Sequence, residues 1–288
     1  MNIQWFPGHM TKARRMITEN LKMIDAICEI IDARIPISSR NPDLDELAGD
    51  KPRLVIMNRV DQADPAATKA WVRYFREHGP QVLETDCKSG KGTAEFSAAV
   101  RRLLEEKLEH YAEKGQTGRK LRVMVVGIPN VGKSTFINRI AKRKAAAVSD
   151  RPGVTRGKQW IAIDAGLELL DTPGILWPKF ESRTVGENLA FTGAVKDDIL
   201  DKETLGANLM VTLREKYPQS LEARYKISLT QDAGGFGLLE TAARARGFLI
   251  SGGECDLLRM ASILLDEFRA GKLGRITLER PEDLEERE

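Results

Sequence analysis

Cysteine and histidine are scarce in this chain of 288 residues, which has only three of each. The cysteines, Cys28, Cys87 and Cys255, lie far apart and form no C-x-x-C pair. This spacing excludes a disulfide framework and a cysteine-rich zinc site. It is typical of reduced thiols in a cytoplasmic protein.

Long apolar runs and an excess of one charge are also missing. No stretch approaches the ~20 apolar residues of a membrane-spanning helix, and the start, MNIQWFPGHM, resembles neither a signal peptide nor a transit peptide. The 45 Lys and Arg residues nearly balance the 42 Asp and Glu residues, for a net charge of +3. We therefore expect a soluble cytoplasmic protein without a membrane partner, in which any surface for polyanions is local.

Strands and helices alternate over the first part of the chain. The apolar runs AICEIIDAR, RLVIMN, QVLETD and LRVMVVG predict buried strands, and GKQWIAID and LELLD are two shorter candidates. Between them, DPAATKAWVRYFREHG and FSAAVRRLLEEKLEHY each have the pattern of one amphipathic helix. This alternation predicts an α/β fold with a doubly wound, mostly parallel sheet.

Beyond residue 178 the sequence predicts only helices, in GENLAFTGAVKD, DKETLGANLMVTLREKYP and GECDLLRMASILLDEFRAGKLG. We therefore expect the α/β domain at residues 25–177 and a small all-helical domain at 178–280. A basic helical segment at 1–24 would lead into the first domain. The acidic end, residues 281–288, would be a frayed tail.

GIPNVGKS, residues 127–134, fits the phosphate-loop pattern G-x-x-x-x-G-K-[ST]. It follows a predicted strand and opens a predicted helix, which is the context that this motif requires. Lys133 would reach the β- and γ-phosphate oxygens, and the Ser134 hydroxyl would bind Mg²⁺. The residues expected at the phosphates are Asn130, Val131, Gly132, Lys133, Ser134 and Thr135.

DTPG, residues 171–174, ends the last predicted strand and has the composition of a metal-holding switch segment. Asp171 would hold Mg²⁺, and the backbone N–H of Gly174 would contact the γ-phosphate. Between the two motifs lies RPGVT, where the Thr155 hydroxyl would be a further Mg²⁺ ligand. Alternatively, Thr155 belongs to a solvated turn.

A guanine reader of the N-K-x-D kind is missing downstream of the phosphate loop, but N-R-V-D occurs upstream of it, at residues 58–61. The Asp61 carboxylate could accept hydrogen bonds from N1–H and N2–H₂ of guanine, which are donors that adenine lacks. Asn58 would meet the N7/O6 side of the base and tie this loop to the phosphate loop, and Arg59 would lie over the base plane. The later segment TDCKSGKG would form a second base loop, with Asp86, Cys87 and Lys88.

The motif order is therefore base reader, base loop, phosphate loop and switch segment, which is a circular permutation of the usual GTPase order. The chain resembles the circularly permuted GTPases of bacteria, most closely those that help complete the large ribosomal subunit. The matching stretches are FPGHM, DARIPISSRNP, NRVD, GIPNVGKST, DRPGVT, LLDTPGILWPKF, SGG and GKLGRITLE. They span the chain almost from end to end. Arg59 replaces the usual Lys, and Asp-Cys-Lys replaces the commoner Ser-Ala-Lys.

The resemblance implies an enzyme that hydrolyses GTP to GDP, and we expect a monomer that is slow alone and faster with ribosomal particles. It also implies binding to the rRNA and proteins of a late 50S precursor, with release on hydrolysis. Ile175 stands where many GTPases carry the Gln that orients the attacking water. The resemblance gives this role to His9, which by its residue type alone could be structural or solvated. Asn130 matches a position that helps bind K⁺ in related GTPases, unless it only hydrogen-bonds its own loop.

Two other functions remain open on the sequence alone. The chain could be an RNA-binding scaffold that the nucleotide merely orders, or a GTPase that acts on another RNA or on a membrane process. Its basic side chains would be either an ordinary solvated surface or an RNA contact. They are Lys12, Arg14 and Arg15 near the start and, in the helical domain, Lys179, Arg183, Arg214, Arg224, Lys226, Arg244, Arg246, Arg269, Lys272 and Arg275.

Overall fold

The structure is a computed structural model that describes residues 15, 17–116, 118–141, 160–172, 182–195, 200–230 and 232–285. The chain forms two compact units. The sheet unit comprises Gln4–Lys179 and Glu279–Glu288, and the helical unit comprises Phe180–Leu278.

Six strands form one sheet in the sheet unit: β1 (Ala26–Asp32), β2 (Arg53–Asn58), β3 (Gln81–Glu84), β4 (Leu121–Gly127), β5 (Trp160–Asp164) and β6 (Leu167–Asp171). Their order is β3-β2-β1-β4-β6-β5. All neighbours are parallel except β5 and β6, which are antiparallel. The predicted doubly wound, mostly parallel α/β fold is confirmed. All seven residues of β1 are buried, because the strand lies in the middle of the sheet.

Within the described ranges, the segments between these strands contain the helices α1 (Asp43–Ala48), α2 (Pro65–Glu77), α3 (Phe96–Leu103), α4 (Glu105–Glu113) and α5 (Lys133–Ala141). Helix α2 begins as the sequence predicts, with Pro65 in its first turn and the Asp64 side chain accepting from the amides of Ala66 and Ala67. Its buried face carries Trp71 and packs on β1 and β2.

The single helix predicted over FSAAVRRLLEEKLEHY is divided in the structure. Leu104 has φ −114° and ψ 23°, so α3 ends before it and α4 begins after it. This local deviation buries Leu104, which is 2 % exposed, whereas Leu103 and Leu108 stay half-buried. The predicted apolar residues do face the core, but their burial requires a bend in the helix that the spacing of apolar residues does not indicate.

The helical unit contains α6 (Arg183–Phe191), α7 (Lys202–Lys216), α8 (Pro218–Tyr225), α9 (Gly235–Arg246) and α10 (Leu257–Arg269). Its described part has no strand beyond one isolated bridge, between Leu249 and Cys255, so the predicted all-helical character is confirmed. The sequence pattern did not indicate α9, whose first turn is glycine-rich. A Cβ at Gly235 would lie 2.3 Å from the carbonyl oxygen of Ala207, so glycine lets α9 approach α7 closely.

The described part of the C-terminal segment makes tertiary contacts, whereas the acidic composition of residues 281–288 predicted a frayed tail. Glu279–Glu288 belongs to the sheet unit, and its described part ends in α11 (Glu282–Glu285). The carbonyl oxygen of Glu279 accepts a 3.0 Å bond from Trp71 Nε1, and Arg280 forms a 2.8 Å ion pair with Asp64. Leu284 packs against the cluster around Trp71. These contacts hold a segment whose acidic composition suggested disorder.

The basic N-terminal segment, predicted at 1–24, is described at residue 15 and from residue 17 onwards. Residues 17–21 are helical, and Ile17 and Ile24 are buried in a cluster with Met124 of β4. Among all helices in the described ranges, none has the length and apolar character that would let it cross a membrane.

Candidate functional site

The predicted motifs meet at the carboxyl edge of the parallel strands. Asp32, the last residue of β1, is the register partner of Asn58 at the end of β2. On the other side of β1, Ile30 pairs with Gly127, where β4 runs into the phosphate loop. Ligands of open α/β sheets bind outside this edge. The strands therefore bring the base reader, the phosphate loop and the switch segment to one side of the sheet.

The phosphate loop needs glycine at two positions for different reasons. A Cβ at Gly127 would lie 2.8 Å from the carbonyl oxygen of Ile30, so only glycine allows β4 to pass β1 at this point. Gly132 has φ +98°, in the left-handed region, and Asn130 also has a positive φ of 59°. Helix α5 begins directly afterwards at Lys133. The loop therefore has the backbone form that aims N–H groups at a phosphate.

Asn58 joins three loops. Its side-chain nitrogen donates a 2.7 Å hydrogen bond to the carbonyl of Val131, and its side-chain oxygen accepts a 3.0 Å bond from the amide of Cys87. Asn58 is 3 % exposed, so both bonds are shielded from water. The base reader and the base loop are thus fixed to the phosphate loop through one side chain. The sequence-based expectation that Asn58 ties its loop to the phosphate loop agrees with this geometry.

Arg59 forms a second connection across the same edge. Its Nη2 donates a 2.8 Å hydrogen bond to the carbonyl of Asn130, and its Nε lies 3.6 Å from Oδ2 of Asp32. Burial lowers the pKa of the Arg59 guanidinium, and the charge of Asp32 opposes this shift only in part. Arg59 has φ +64°, which turns the chain sharply toward the exposed Asp61.

The base loop is rigid through its own hydrogen bonds and through α5. Oδ1 of Asp86 accepts from the amides of Lys88 and Ser89, at 2.8 and 3.2 Å. Burial raises the pKa of Asp86, but the hydrogen bonds from Ser89 and from the amide of Lys88 lower it by more, so the net pKa lies below the ordinary value. Arg139 of α5 donates to the carbonyls of Cys87 and Lys88. The sequence did not single out Arg139, because one arginine in a helix carries no motif.

Cys87 contributes its backbone amide and a buried thiol. Burial raises the pKa of this thiol to about 11, so the side chain is neutral at physiological pH. Lys88, the next residue, is exposed. Of the three predicted base-loop residues, Asp86 and Cys87 therefore shape the loop, and Lys88 extends into solvent.

At the phosphate end, Lys133 and Asp171 form an ion pair of 2.7 Å between Nζ and Oδ1. Their side chains are 9 % and 21 % exposed, so the pair is well shielded. The hydroxyl of Thr172 donates 2.7 Å to the carbonyl of Val125 and fixes the end of β6 beside β4. Ser134 and Thr135 are exposed in the first turn of α5. The structure thus brings together the predicted phosphate-binding cation and the predicted metal-binding carboxylate.

The donor set fits a magnesium ion that binds together with phosphates. Within the described ranges, no group of three or more His, Cys, Asp or Glu side chains could hold a metal by itself. Mg²⁺ commonly takes only one or two protein oxygens, and phosphate oxygens and water complete its coordination. Asp171 and Ser134 carry oxygens of this kind.

Several predicted residues lie outside the described residues. They are His9, Thr155 and Gly174, together with Ile175 and the basic Lys12, Arg14 and Lys179. A residue that the sequence analysis did not identify is Arg34, whose guanidinium makes two hydrogen bonds to Asp32, of 2.9 and 2.7 Å. Burial raises the pKa of Asp32, but Arg34 and Arg59 lower it more, so the carboxyl stays ionised.

A second cleft lies at the opposite, amino edge of the sheet. Its lining includes Asp25, Lys51 and Gln81, which precede or begin strands, and Lys107 of α4. Lys107 and Asp25 form a 2.6 Å ion pair there. None of the predicted phosphate- or base-binding residues lines this cleft. The carboxyl edge therefore remains the candidate site.

Known proteins are similar to this chain in both sequence and fold. A family model described as "50S ribosome-binding GTPase" matches residues 122–219. The chain is 46 % identical over 287 residues to Ribosome biogenesis GTPase A of Bacillus cereus, with 99 % of this chain and 96 % of that protein covered. Identity to the protein of the same name from Priestia megaterium is 47 % over 288 residues, with 99 % of both covered. A solved GDP-bound structure of TM YlqF matches with a TM-score of 0.70 and 27 % identity, over 93 % of this chain and 100 % of that one.

Proposed function

The chain belongs to the ribosome biogenesis GTPase A family, and from this premise we propose that it binds a late precursor of the large (50S) ribosomal subunit and leaves it when GTP is hydrolysed. That it is a GTPase of ribosome biogenesis follows from the family itself. Its fold is the circularly permuted GTPase fold. The proposal concerns the precursor, the timing of release and the residues that do the chemistry.

One observation carries the assignment of the nucleotide site. The Asn58 side chain bonds both to Val131 of the phosphate loop and to Cys87 of the base loop. Three segments that are far apart in a permuted chain are therefore held side by side at one edge of the sheet. A nucleotide with its phosphates over residues 130–135 would extend its base toward residues 58–61 and 86–88.

Guanine would be selected by Asp61. This carboxylate would accept hydrogen bonds from N1–H and N2–H₂ of guanine, whereas adenine would leave it without a donor. Arg59 would lie along the base while it keeps its 2.8 Å bond to the carbonyl of Asn130. An arginine is planar and has several donors, so it can serve both contacts in place of the usual lysine.

The phosphates would be held by the loop amides and by Lys133. On binding, Lys133 would exchange its 2.7 Å bond to Asp171 for the β- and γ-phosphate oxygens. Asp171 would then face the metal, together with the Ser134 and Thr155 hydroxyls and with the Gly174 amide at the γ-phosphate. A bound Mg²⁺ supplies charge neutralisation between the β- and γ-phosphates.

Water activation is proposed for His9, because Ile175 is apolar and cannot orient water. Asn130 is the candidate for a K⁺ site, since it lies in the phosphate loop with φ +59°. A potassium ion there would add positive charge beside the phosphates. The two proposals are separable: replacing His9 by Ala would lower GTP turnover much more than it weakens GTP affinity, whereas exchanging K⁺ for Na⁺ would act through Asn130.

The rRNA contact is proposed for exposed basic side chains of the helical unit. Several of the arginines there have structural partners instead. Arg224 bonds to Glu267 at 3.0 Å, and Arg269 bonds to the carbonyls of Ala190 and Phe191 at 2.9 and 3.1 Å. Lys226 and Lys272 are exposed, so they are the better candidates for phosphate contacts.

The decisive experiment measures GTP hydrolysis by the full chain with and without late large-subunit precursors, in K⁺ and in Na⁺. We expect slow basal turnover, a clear stimulation by the precursors, and tighter association of the GTP-bound chain than of the GDP-bound chain. A nucleotide-ordered scaffold would show no stimulation. A GTPase of another RNA or of a membrane process would fail to sediment with the precursors, and that result would refute the proposal.

A further inference from the structure

The loop after β1, residues 33–41, is buried although it has no regular secondary structure. Ala33, Arg34, Ile35, Ser38 and Ser39 are all at most 1 % exposed. Buried backbone amides need hydrogen-bond partners, and an irregular loop cannot supply all of them itself. Three carboxylates accept bonds from amides of this loop: Glu29 and Asp32 of β1, and Glu279.

Glu279 is the carboxylate that comes from far away in the chain. Its Oε2 accepts a 2.8 Å bond from the amide of Ile37, and both of its oxygens lie 3.1 Å from the amide of Ser38. The Ser38 hydroxyl donates to Oε1. Glu279 is 5 % exposed, so it holds the loop in a shielded environment, where hydrogen bonds to a charged acceptor are strong. It is also the first residue after the helical unit.

The loop connects Glu279 to the base reader. The Ser39 hydroxyl, next to Ser38, accepts a 2.9 Å bond from the amide of Asp32. Oδ2 of Asp32 lies 3.6 Å from Nε of Arg59, whose Nη2 bonds to the carbonyl of Asn130 in the phosphate loop at 2.8 Å. All of these residues belong to the sheet unit. A continuous series of contacts therefore runs from Glu279 to the phosphate loop.

We propose that Glu279 is a positioning residue for the guanine nucleotide: it fixes the loop after β1, and this loop holds Asp32 where it orients Arg59. The inference rests on the proposed place of Arg59 beside the base. Its consequence is that nucleotide affinity depends on the first residue after the helical unit. Within the acidic run ERPEDLEERE the sequence gives no sign of this role, because the residue differs from its neighbours only in its tertiary contacts.

The test compares Glu279→Ala and Glu279→Gln with Glu282→Gln, an exposed residue of the same segment that serves as the matched control. We expect the Kd for GDP to rise about tenfold in Glu279→Ala, less in Glu279→Gln, and not in Glu282→Gln. The KM for GTP should rise in parallel, while turnover at saturating GTP changes little. Hydrogen exchange at the amides of Ile37 and Ser38 should become faster. Ser38→Ala, which removes only the hydroxyl contact, provides a milder variant if Glu279→Ala does not fold.

A double-mutant cycle with Arg59→Ala tests the route. If Glu279 acts through Arg59, Glu279→Ala has little further effect on GDP affinity once Arg59 is absent. The inference would be overturned if Glu279→Ala had equal effects on GDP affinity in the parent and in Arg59→Ala. It would also be overturned if Glu279→Ala gave faster exchange at Ile37 and Ser38 with an unchanged Kd for GDP. Either result would leave the proposed function intact. An unchanged Kd in Arg59→Ala alone would instead refute the proposed base-side role of Arg59, and this inference with it.

Discussion

The side-chain nitrogen of Asn58 donates a 2.7 Å hydrogen bond to the carbonyl of Val131, a residue 73 positions later in the chain. The same side chain accepts a bond from the amide of Cys87. In a permuted chain, base-binding and phosphate-binding segments are connected by long stretches of polypeptide, so their relative position must be fixed by tertiary contacts. Asn58 provides two of these contacts from one buried position.

Replacing Asn58 by Ala should therefore weaken nucleotide binding more than its size suggests. The carbonyl of Val131 and the amide of Cys87 would both lose a shielded partner, and one such loss costs about 1–3 kcal/mol. If the cost of only one loss falls on the conformation that binds nucleotide, GDP affinity already drops by a factor of about 5 to 150. Isothermal titration with GDP measures the effect. Asn188→Ala, a buried asparagine of the helical unit, should lower the melting temperature and leave the Kd unchanged.

Gly132→Ala should disturb the same contact between Asn58 and the phosphate loop, here by a change within the phosphate loop. A Cβ at Gly132 would lie 2.3 Å from Nδ2 of Asn58, and the backbone φ of +98° is strained for any residue except glycine. Gly79→Ala is the matched control, because Gly79 has φ +110° but no atom within 4 Å of the added Cβ. We expect Gly132→Ala to lose much more GDP affinity than Gly79→Ala. Its effect should shrink in an Asn58→Ala background, where the collision is removed, and a fully additive pair would contradict this account.

Asp61→Asn should change the base preference from guanine to xanthine. Xanthine carries a carbonyl at C2 where guanine carries an amino group, so the Asn amide can donate to this oxygen while its own carbonyl accepts from N1–H. We expect GDP affinity to fall by about a hundredfold and xanthosine diphosphate to bind instead. Competition against a fluorescent nucleotide measures both. Asp50→Asn, at the opposite edge of the sheet, should keep the preference of the parent. An Asp61→Asn variant that still prefers guanine would argue against Asp61 as the base reader.

The sequence predicted the elements and motifs of this protein better than their connections. Buried strands such as β1 and the phosphate loop have strong local patterns, and the Asn58 junction could be expected because N-x-x-D and the phosphate loop must meet on one nucleotide. Leu104, where the predicted helix is divided, and α9, whose Gly235 allows close packing against α7, depend on tertiary contacts. Glu279 could not be predicted for the same reason: its partners lie about 240 residues earlier.

The buried thiol of Cys87 should make stability fall at alkaline pH. Burial raises its pKa from 9.0 to about 11, so the thiol stays protonated in the folded chain while it ionises in the unfolded chain. The protonated thiol therefore makes its full contribution to the free energy of unfolding below pH 9. This contribution is lost between about pH 9 and 11, with a total change of about 3 kcal/mol. Urea unfolding of the parent and of Cys87→Ala at pH 8, 9.5 and 11 isolates this contribution, because the other groups titrate in both proteins. Parallel pH profiles of the two proteins would contradict the prediction.

Charge reversal at Lys272 should weaken docking on the ribosomal precursor without changing basal hydrolysis. Lys272 is exposed in the helical unit, whereas Arg224 and Arg269 of the same unit are engaged in bonds to Glu267 and to backbone carbonyls. A lysine that contacts rRNA phosphates releases counterions, so its loss should reduce the slope of log affinity against log salt by about one. Sedimentation with late large-subunit precursors over a salt series measures this slope for Lys272→Glu, for Lys226→Glu and for the control Lys114→Glu, which is exposed at the end of α4. Because charge reversal also adds repulsion, the affinity for the precursors should fall most at low salt. Identical curves of affinity against salt for all three variants would exclude Lys272 and Lys226 from the rRNA contact.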